Sequence, residues 1–285
     1  MPDVVAAPLL SPGARHLVGE CGAGWLDETG AAEISDGLLL ISRSGTVPPR
    51  RTGDPQWRPA TLAVCEALLT GCPATATAVT GRTGLAASTV VGALKFLDRS
   101  GFLSASAARG RLSGRYVSDA EGLLDAYASA AGQLRSAIAL RVGAIWRDPL
   151  SGAVSAGERW GDSGISWAVT SALAADVLAP MLAEPAPLEV YVGGRTLGDL
   201  RKSAEIAGLR EMEGGRILLR PFPTLAGQML REEIKPGLIS ALWPRVYADL
   251  RIVGVRGEDA AEHLREEMSR ARDRATAITS GAEGR

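Results

Sequence analysis

The stretch from Arg58 to Ser118 constrains the fold more than any other part of the chain, because turn-forming residues divide it into short segments of helical periodicity. Apolar residues recur at helical spacing within each segment, and glycine or proline stands near the breaks. Proline removes a backbone donor and glycine tolerates left-handed dihedral angles, so both residues end helices. The pattern predicts three successive helices over Thr61–Leu69, Thr75–Thr83 and Ala87–Ser100.

A pair of short strand-like runs follows the third predicted helix. Gly101 is placed to end that helix, Phe102-Leu103 begins the first strand and Arg115-Tyr116-Val117 forms the second. Arg109-Gly110-Arg111 lies at the turn between them. Three helices followed by a β-hairpin predict a winged helix-turn-helix, with Ala87–Ser100 as the candidate recognition helix. The inward face of that helix is expected to consist of Val90, Ala93, Leu94 and Leu97.

Cations outnumber anions in this stretch, although the formal net charge of the whole chain is −1. Between Trp57 and Asp119, seven lysine and arginine side chains stand against three acids, Glu66, Asp98 and Asp119, which leaves a local excess of four positive charges. A basic patch on a nearly neutral chain is the footprint expected for contacts with nucleic-acid phosphates. The side chains predicted to contact double-stranded DNA are Arg82, Ser88, Thr89, Lys95, Arg99, Arg109, Arg111 and Arg115.

The candidate recognition helix offers few groups that can read a base edge. The positions expected to be exposed near its start are Ala87, Ser88, Val91 and Gly92, with Lys95 one turn further on. Apart from Ser88, Thr89 and Lys95, this face has little that can hydrogen-bond to a base edge, whereas the arginines can hold phosphates. Two alternatives stay open: modest sequence specificity, or specificity carried by the hairpin. A winged helix that packs only against protein is a further alternative.

Composition and length bound the class of protein. A chain of 285 residues with 46% hydrophobic residues can form two or three domains with a real core. No apolar run approaches the roughly 20 residues that span a bilayer, and Met1-Pro2-Asp3 lacks the basic start of a signal peptide. Cys21, Cys65 and Cys72 form no CxxC pair and are expected to be buried thiols of a cytoplasmic protein. The two histidines are too far apart in sequence to suggest a metal site, and no cofactor is expected.

The expected fold class is α/β of the α+β kind, divided into several segments. A small N-terminal α/β unit with a linker is expected over residues 1–54, and the winged helix-turn-helix over 55–119. A connecting helix over 120–146 has a long apolar pattern, which either packs within the chain or forms a dimer. An α/β domain over 147–272 and a flexible tail over 273–285 complete the prediction.

The N-terminal unit carries two acids, Asp27 and Glu33, that invite comparison with a metal-dependent nuclease. Such a site requires an acid two positions before a lysine on a strand, to hold a metal ion and activate water. Ser35 stands where that lysine is needed, so the acids are expected to be structural. The unit is predicted to contain a helix over Leu9–Cys21 and strands over Ala31–Ile34 and Leu38–Ser42.

Periodicity in the C-terminal domain predicts a succession of helices and strands. Pro244 lies inside one helical pattern, so a break is expected there. Gly152–Arg159 is expected to be a turn or a strand, and Ala275–Arg285 has no periodicity. The predicted helices and strands are Gly164–Leu178, Leu188–Val192, Thr196–Ala207, Arg216–Arg220, Ile239–Ile252 and Asp259–Arg272.

The C-terminal domain lacks the residue patterns of a nucleotidyltransferase. Such an enzyme needs a Gly-Ser pair at a helix start and two carboxylates one residue apart on a strand that binds magnesium. Gly164-Ile165-Ser166 lacks the pair, and the strand over Leu188–Val192 offers one acid, Glu189. The chain also has no P-loop, dinucleotide fingerprint or Ser/His/Asp set. The sequence therefore predicts that the chain is not an enzyme.

Segments near both ends of the chain carry a resemblance to a known family. Leu10-Ser11-Pro12-Gly13-Ala14-Arg15 and Gly24-Trp25-Leu26-Asp27-Glu28-Thr29-Gly30 resemble the opening of a group of actinobacterial winged-helix regulators. Trp243–Leu250 and Gly254–Arg265 resemble the C-terminal part of AbiEi-type antitoxins of type IV toxin–antitoxin systems. The resemblance implies a DNA-binding autorepressor and a C-terminal domain shaped like a nucleotidyltransferase without its active site. It also implies a nucleotidyltransferase-like toxin as a partner.

Three hypotheses from different classes follow. The first is a cytoplasmic winged-helix transcriptional regulator, a repressor of the antitoxin type that does not contact a membrane. Its partners would be double-stranded DNA, a nucleotidyltransferase-like toxin and a second copy of the chain. The second hypothesis is a nuclease or nucleotidyltransferase, degenerate or active, that uses the flanking domains. The third is a protein-interaction scaffold whose winged helix does not bind DNA.

Overall fold

A computed structural model describes residues 3–7, 10, 12–27, 30–36, 39–43, 57–105, 115–181 and 187–282. The chain divides into two compact units, Met1–Gln56 and Trp57–Arg285. Helices and strands occur together in both units, which confirms the mixed α+β class expected from the sequence. Within the described ranges, no helix has both the length and the apolar character that crossing a bilayer requires.

The first unit contains a helix and a four-stranded sheet in its described residues. Helix α1 (Pro12–Glu20) and the antiparallel strands β3 (Ala32–Asp36) and β4 (Leu39–Arg43) confirm the predicted helix and hairpin. Ser11, which the Ser11-Pro12 pair predicts as the N-cap of this helix, lies outside the described residues. The parallel pair β1 (Val4–Ala7) and β2 (Gly24–Asp27) escaped prediction, because each run is short and β1 does not alternate between apolar and polar residues. The sheet order is β1-β2-β3-β4, and its small core is formed by Leu10, Trp25 and Ala31.

The second unit begins with the helices and hairpin that the central stretch predicts. The helices are α2 (Pro59–Leu69), α3 (Ala76–Thr83) and α4 (Ala87–Arg99). The antiparallel strands β5 (Leu103–Ala105) and β6 (Arg115–Val117) follow, and the tip between them lies outside the described residues. These elements confirm the predicted order and the approximate bounds of the helices and strands.

Local chemistry explains where α3 begins and ends, and which side of α4 is buried. The Thr75 hydroxyl accepts a hydrogen bond from the Ala78 backbone N–H at 3.3 Å, which caps the start of α3. Gly84 ends α3 with a φ angle of 67°, a left-handed conformation that glycine adopts without steric strain. Along α4, the residues predicted to point inward are all buried, namely Val90, Ala93, Leu94 and Leu97.

The remainder of the second unit alternates helices with strands. A short 3₁₀ turn lies at Leu225–Gln228. The α-helices are α5 (Ala120–Gln133), α6 (Pro149–Asp162), α7 (Ser171–Leu178), α8 (Leu197–Ile206), α9 (Trp243–Leu250) and α10 (Val255–Ala282). The strands are β7 (Leu140–Gly143), β8 (Trp167–Thr170), β9 (Leu188–Val192), β10 (Arg210–Glu211), β11 (Ile217–Pro221), β12 (Arg231–Lys235) and β13 (Leu238–Ala241).

These strands form one mixed sheet with helices on both faces. The order of the strands is β10-β7-β11-β9-β8-β13-β12. Adjacent side chains on a strand point to opposite faces, so Trp167 and Thr170 of β8 face different layers. The Trp167 ring packs 5.9 Å from the Trp160 ring of α6, whereas the Thr170 hydroxyl bonds to Asp249 of α9. Helix α6 therefore covers one face and α9 the other.

Several predictions for this part of the chain are confirmed. Strand β9 has the predicted bounds, and β11 differs from its prediction by one residue at each end. Helix α8 begins with Thr196 as N-cap, and Asp199 completes a capping box with it. The acid and the hydroxyl each satisfy a backbone N–H, which fixes where the helix predicted over Thr196–Ala207 begins.

Several other predictions for the C-terminal part are wrong. The helix expected over 120–146 ends at Gln133, and the strand β7 occupies part of its range. Gly152–Arg159 is helical within α6, whose start is capped by Asp148 through the N–H groups of Leu150 and Ser151. Gly164–Leu178 divides into β8 and α7. A strand buried on both faces does not alternate, so its apolar run resembles a buried helix.

The predicted helix Ile239–Ile252 also divides, because β13 ends at Ala241 and α9 begins at Trp243. Pro244 lies in the first turn of α9, where the missing N–H would have no helical partner in any case. It therefore starts a helix instead of breaking one. Helix α10 continues to Ala282, beyond the predicted helix end at Arg272 and into the segment expected as a tail.

Buried and partly buried polar side chains lie where helices α2, α5 and α9 meet the sheet, and we call them the polar layer. The charges within the layer balance, because three carboxylates stand with three guanidinium groups. The charged members are Glu66, Glu189, Asp249, Arg135, Arg220 and Arg245, and the uncharged members are Tyr127, Thr170 and Tyr191.

Glu66 of α2 is the point where three helices meet. Its Oε1 atom accepts hydrogen bonds from the Tyr127 hydroxyl of α5 at 2.6 Å and from Arg245 Nη2 of α9 at 3.0 Å. The Arg245 guanidinium also lies 5.4 Å from the centroid of the Tyr127 ring. Burial acts to lower the pKa of Arg245, but Tyr127 and Glu66 together with the neighbouring acid and tyrosine raise it well above its usual value. Arg245 therefore stays charged inside the unit.

Asp249 connects α9 to the sheet. Its Oδ2 atom accepts from the Thr170 hydroxyl of β8 at 2.6 Å and from the Tyr191 hydroxyl of β9 at 2.7 Å. Its Oδ1 atom lies 3.8 Å from Arg245 Nη1, one helical turn away. Burial raises the pKa of Tyr191 well above its usual value, so the hydroxyl keeps the proton that it donates.

Glu189 of β9 is held by two arginines. Arg135, just after α5, and Arg220 of β11 both form ion pairs with its Oε1 atom. Arg220 also donates to the Ser136 backbone carbonyl at 3.0 Å. Burial and the Asp249 charge raise the pKa of Glu189, and the two arginines oppose that shift. The loop after α5 is thereby tied to two central strands.

We expect Arg245→Met to lower the free energy of unfolding by about 3–5 kcal/mol, because it leaves Glu66 and Asp249 buried without their cation while keeping most of the side-chain volume. Urea unfolding of wild type and variant measures the difference. Arg270→Ala is the control: it removes an exposed arginine that pairs with Glu266 and Glu267 on α10, and should cost less than about 1 kcal/mol. Equal effects of the two substitutions would contradict the structural role of Arg245.

Candidate nucleic-acid interface

Helix α4 presents one exposed face of small and polar residues. Ser88, Thr89, Gly92 and Lys95 are exposed, as expected from the sequence, and the exposed fraction of Val91 is 38%. The N-cap residue Ala86 makes no side-chain hydrogen bond, so the first turn presents backbone N–H groups outward. Such groups, together with the helix dipole, favour a phosphate at this end of α4.

A cleft of about 180 Å³ lies beside this face and brings residues of three elements together. Its cationic residues are Lys95 of α4 and Arg115 of β6. The start of α3 contributes Thr75, and its apolar wall includes Val91 and Leu94. Two cations beside a helix start form a surface that suits an anionic group. The sequence placed Lys95 and Arg115 in the same candidate set, but it gave no sign that they share a cleft or that Thr75 belongs beside them.

Arg115 also ties the hairpin to α4. Its Nε atom lies 3.3 Å from Asp98 Oδ2, and about two fifths of each side chain is exposed. Exposed ion pairs contribute only about 0–1 kcal/mol, so a phosphate can replace the Asp98 carboxylate as the partner of Arg115. The ring of Trp57 packs edge-on against Phe96 of α4 at 5.4 Å and lies 6.4 Å from Phe102. These contacts support the C-terminal end of α4, where Asp98 lies.

The other predicted contacts lie apart from the cleft. Arg82 is exposed in the last turn of α3, and Arg99 is exposed in the last turn of α4. Neither residue lines the cleft. Arg109 and Arg111, the predicted hairpin-tip cations, lie outside the described residues. The structure therefore brings together Lys95 and Arg115, with Ser88 and Thr89 at the start of the same helix.

Burial changes the charge count of this stretch. Glu66, one of the three acids counted from the sequence, is buried and paired with Arg245. Asp98 is paired with Arg115. The Asp98–Arg115 pair is neutral and leaves the net charge unchanged. Because Glu66 is buried, the surface of this stretch is more positive than the sequence count suggests. The sequence could not predict the pairing of Glu66 with Arg245, because the two residues are 179 positions apart.

The junction of β8 and α7 lies in the segment where a nucleotidyltransferase would need its Gly-Ser pair at a helix start. Gly164 lies in the turn before β8, so the helix start is at Ser171, whose φ angle of 53° is unusual for a residue other than glycine. The β8–β9 register places Thr170 opposite Glu189, and Tyr191 stands two residues further along β9. A metal-binding strand of a nucleotidyltransferase needs two carboxylates one residue apart. Strand β9 has Glu189 at the first of these positions and Tyr191 at the second.

The acids near that junction are already engaged. Glu189 pairs with two arginines, and Asp249 accepts from Thr170 and Tyr191. A metal ion would have to displace these partners before it could bind either carboxylate. In the part of the chain that the structure describes, no three His, Cys, Asp or Glu side chains are grouped closely enough to hold a metal ion.

The acids of the first unit have different surroundings. Asp27 is buried and accepts from Arg15 Nη2 at 2.9 Å, and the Arg15 guanidinium lies 4.6 Å from the centroid of the Trp25 ring. Glu33 is exposed. Asp27 therefore holds α1 to β2, a structural role of the kind that the sequence predicted.

Comparison of the chain with protein families, curated proteins and solved structures gave no match.

Replacing Arg109, Arg111 and Arg115 together by alanine should weaken binding to duplex DNA and reduce its dependence on salt. Each phosphate contact that is lost lowers the slope of log affinity against log salt by about 0.9. Titrations of labelled duplex at several salt concentrations give that slope. The control removes three exposed arginines elsewhere, Arg147, Arg210 and Arg216. An unchanged affinity and slope in the hairpin variant would refute a role for these arginines.

Proposed function

We propose that this chain is a DNA-binding transcriptional regulator whose helices α2 to α4 and hairpin β5–β6 act as a winged helix-turn-helix. The observation that carries the proposal is the exposed face of α4, with Lys95 and Arg115 side by side in one cleft. The opposite face of α4 is buried, so the exposed face is the one available to a groove of duplex DNA. The local excess of cations supports the same conclusion.

The contacts on this surface suit phosphates better than bases. Val91 can meet only a thymine methyl group, and Gly92 has no side chain to offer. Lys95 and Arg115 line the cleft with the start of α3, an arrangement that fits a backbone phosphate. The proposed regulator therefore binds duplex DNA chiefly through its backbone, and the hairpin or DNA shape supplies the sequence preference.

The resemblance to AbiEi-type antitoxins extends the proposal to a repressor of its own promoter. The part of the second unit that contains strands β7 to β13 is called the sheet domain. Under this proposal it has the shape of a nucleotidyltransferase without its active site, and the partner of the chain is a nucleotidyltransferase-like toxin. The support is chemical: Tyr191 stands where a second carboxylate is needed, and Glu189 is neutralised by two arginines. The cytoplasm is the proposed compartment.

The test of DNA binding is a competition between duplex from the region upstream of the chain's own gene and a scrambled duplex. Wild type should bind both, with a modest preference for the first. Lys95→Ala should weaken both by a similar factor, because a phosphate contact is independent of sequence. Lys202→Ala, an exposed lysine of α8, is the control for loss of one charge.

Two outcomes would count against this account. If wild type binds neither duplex at low salt, DNA binding itself is refuted. If Lys95→Ala loses affinity only for the upstream duplex, Lys95 reads a base, and the proposal that α4 contacts mainly phosphates is wrong.

We also predict that the chain catalyses no metal-dependent cleavage or nucleotidyl transfer, because Asp27, Glu189 and Asp249 are engaged by arginines and hydroxyl groups. Purified protein is incubated with magnesium or manganese, labelled DNA and nucleotides, and products are resolved by electrophoresis. An activity that disappears in Glu189→Ala or Asp27→Ala would overturn this prediction.

A further inference from the structure

The turn between α3 and α4 connects the candidate recognition helix to the rest of the second unit. The buried Thr83 hydroxyl donates to the Val79 carbonyl at 2.7 Å and accepts from the Leu85 backbone N–H at 3.3 Å, which orders the start of the turn. The other end of the turn is less constrained, because the N-cap residue of α4, Ala86, makes no side-chain hydrogen bond. Packing against the turn therefore matters for where α4 begins.

The segment between β11 and β12 of the sheet domain supplies packing of this kind. Ala226 and Leu230 are buried in a cluster that includes alanines of α2, and Leu85 of the turn packs against the same cluster. The Leu230 backbone N–H donates to the Ala226 carbonyl at 3.1 Å, and the Thr224 hydroxyl accepts from the Gly227 N–H at 2.9 Å. The backbone of the segment is thereby held in place beside the turn.

Met229 lies between these two buried residues, and its side chain reaches the turn itself. A Cβ atom placed on Gly84 would come within 2.6 Å of the Met229 sulfur, so the sulfur packs directly against this glycine. Gly84 has a φ angle of 67° and ends α3. The Met229 side chain is 51% exposed, so it adds little to the core. Its contact with the turn lies just before Ser88 and Thr89, which begin the exposed face of α4.

We propose that Met229 is a positioning residue for DNA binding, whose side chain braces the turn between α3 and α4 and so sets the orientation of α4; this inference rests on the proposed function. A protein that is only partly in its binding-competent arrangement has an affinity reduced by the competent fraction. The anchored segment of the sheet domain raises that fraction, because it presents Met229 to Gly84 from a fixed backbone. The sheet domain thus acts on DNA binding through the setting of α4.

The first measurement compares wild type, Met229→Ala and Met229→Leu in titrations of a scrambled duplex at several salt concentrations. Met229→Ala should weaken binding about three- to tenfold, as expected when the competent fraction falls to about a third to a tenth. The salt slope should stay the same, because the bound complex keeps its phosphate contacts. Met229→Leu nearly conserves the volume of the side chain and should restore most of the affinity.

The second measurement is hydrogen exchange of the free protein, which separates positioning from a direct contact of Met229 with DNA. The Thr89 and Val90 backbone N–H groups donate to the Ala86 carbonyl at 2.9 and 3.1 Å in the first turn of α4. Met229→Ala should speed the exchange of these two amides and leave that of the α2 amides unchanged. A side chain that only touched DNA would leave exchange in the free protein as it is.

Met212 offers a matched control elsewhere in the second unit. Its side chain is also 51% exposed, and a Cβ atom placed on Gly143 of β7 would come within 2.9 Å of its sulfur. Met212→Ala therefore removes an equally exposed methionine from a glycine that is not part of the candidate DNA-binding helices. It should change neither the affinity for duplex DNA nor the exchange of the α4 amides.

Weaker binding with an unchanged salt slope and faster exchange at the start of α4, in Met229→Ala but not in Met212→Ala, supports the inference. Four results would overturn it and leave the proposed function standing: unchanged affinity in Met229→Ala, an equal loss in Met212→Ala, a loss without faster exchange in the free protein, or no recovery in Met229→Leu. A changed salt slope would also overturn it, because a phosphate contact would then have been lost. If wild type does not bind duplex DNA at low salt, the proposed function and the inference are both refuted.

Discussion

The buried ion pair between Glu66 and Arg245 is the interaction on which the second unit depends. Burying two charges costs several kcal/mol per ion, and the cost is offset only if geometry and hydrogen bonding are satisfied together. Here Tyr127 donates to Glu66, and Asp249 lies beside Arg245, so α2, α5 and α9 must be in place at once. The candidate DNA-binding helices are thus joined to the sheet domain by a cluster that tolerates little relative movement.

The same cluster bears on what the sheet domain can do. A metal-dependent enzyme needs acids that are open to metal and substrate. Glu189 and Asp249 instead neutralise arginines and accept hydrogen bonds from hydroxyl groups. The domain is therefore proposed to support and present the helices α2 to α4.

The sequence predicted the elements whose signals are local. Clear breaks separate the helices α2 to α4, and all four inward residues of α4 were identified from its apolar stripe. Strand β8 was mistaken for part of a helix, because all four of its residues are buried and no alternation survives. Pairings such as Glu66 with Arg245, or the shared cleft of Lys95 and Arg115, depend on tertiary packing between distant segments. No pattern in the chain could have revealed them.

Duplex DNA is proposed to meet the exposed face of α4 and the hairpin, while the polar layer remains closed. Hydrogen–deuterium exchange of the full chain, with and without a saturating duplex at low salt, tests it most directly. DNA should slow exchange of backbone amides at the start of α4 and in β5 and β6, and leave those of β9 and β11 unchanged. Protection confined to the sheet domain, with none in α4 or the hairpin, would contradict the account.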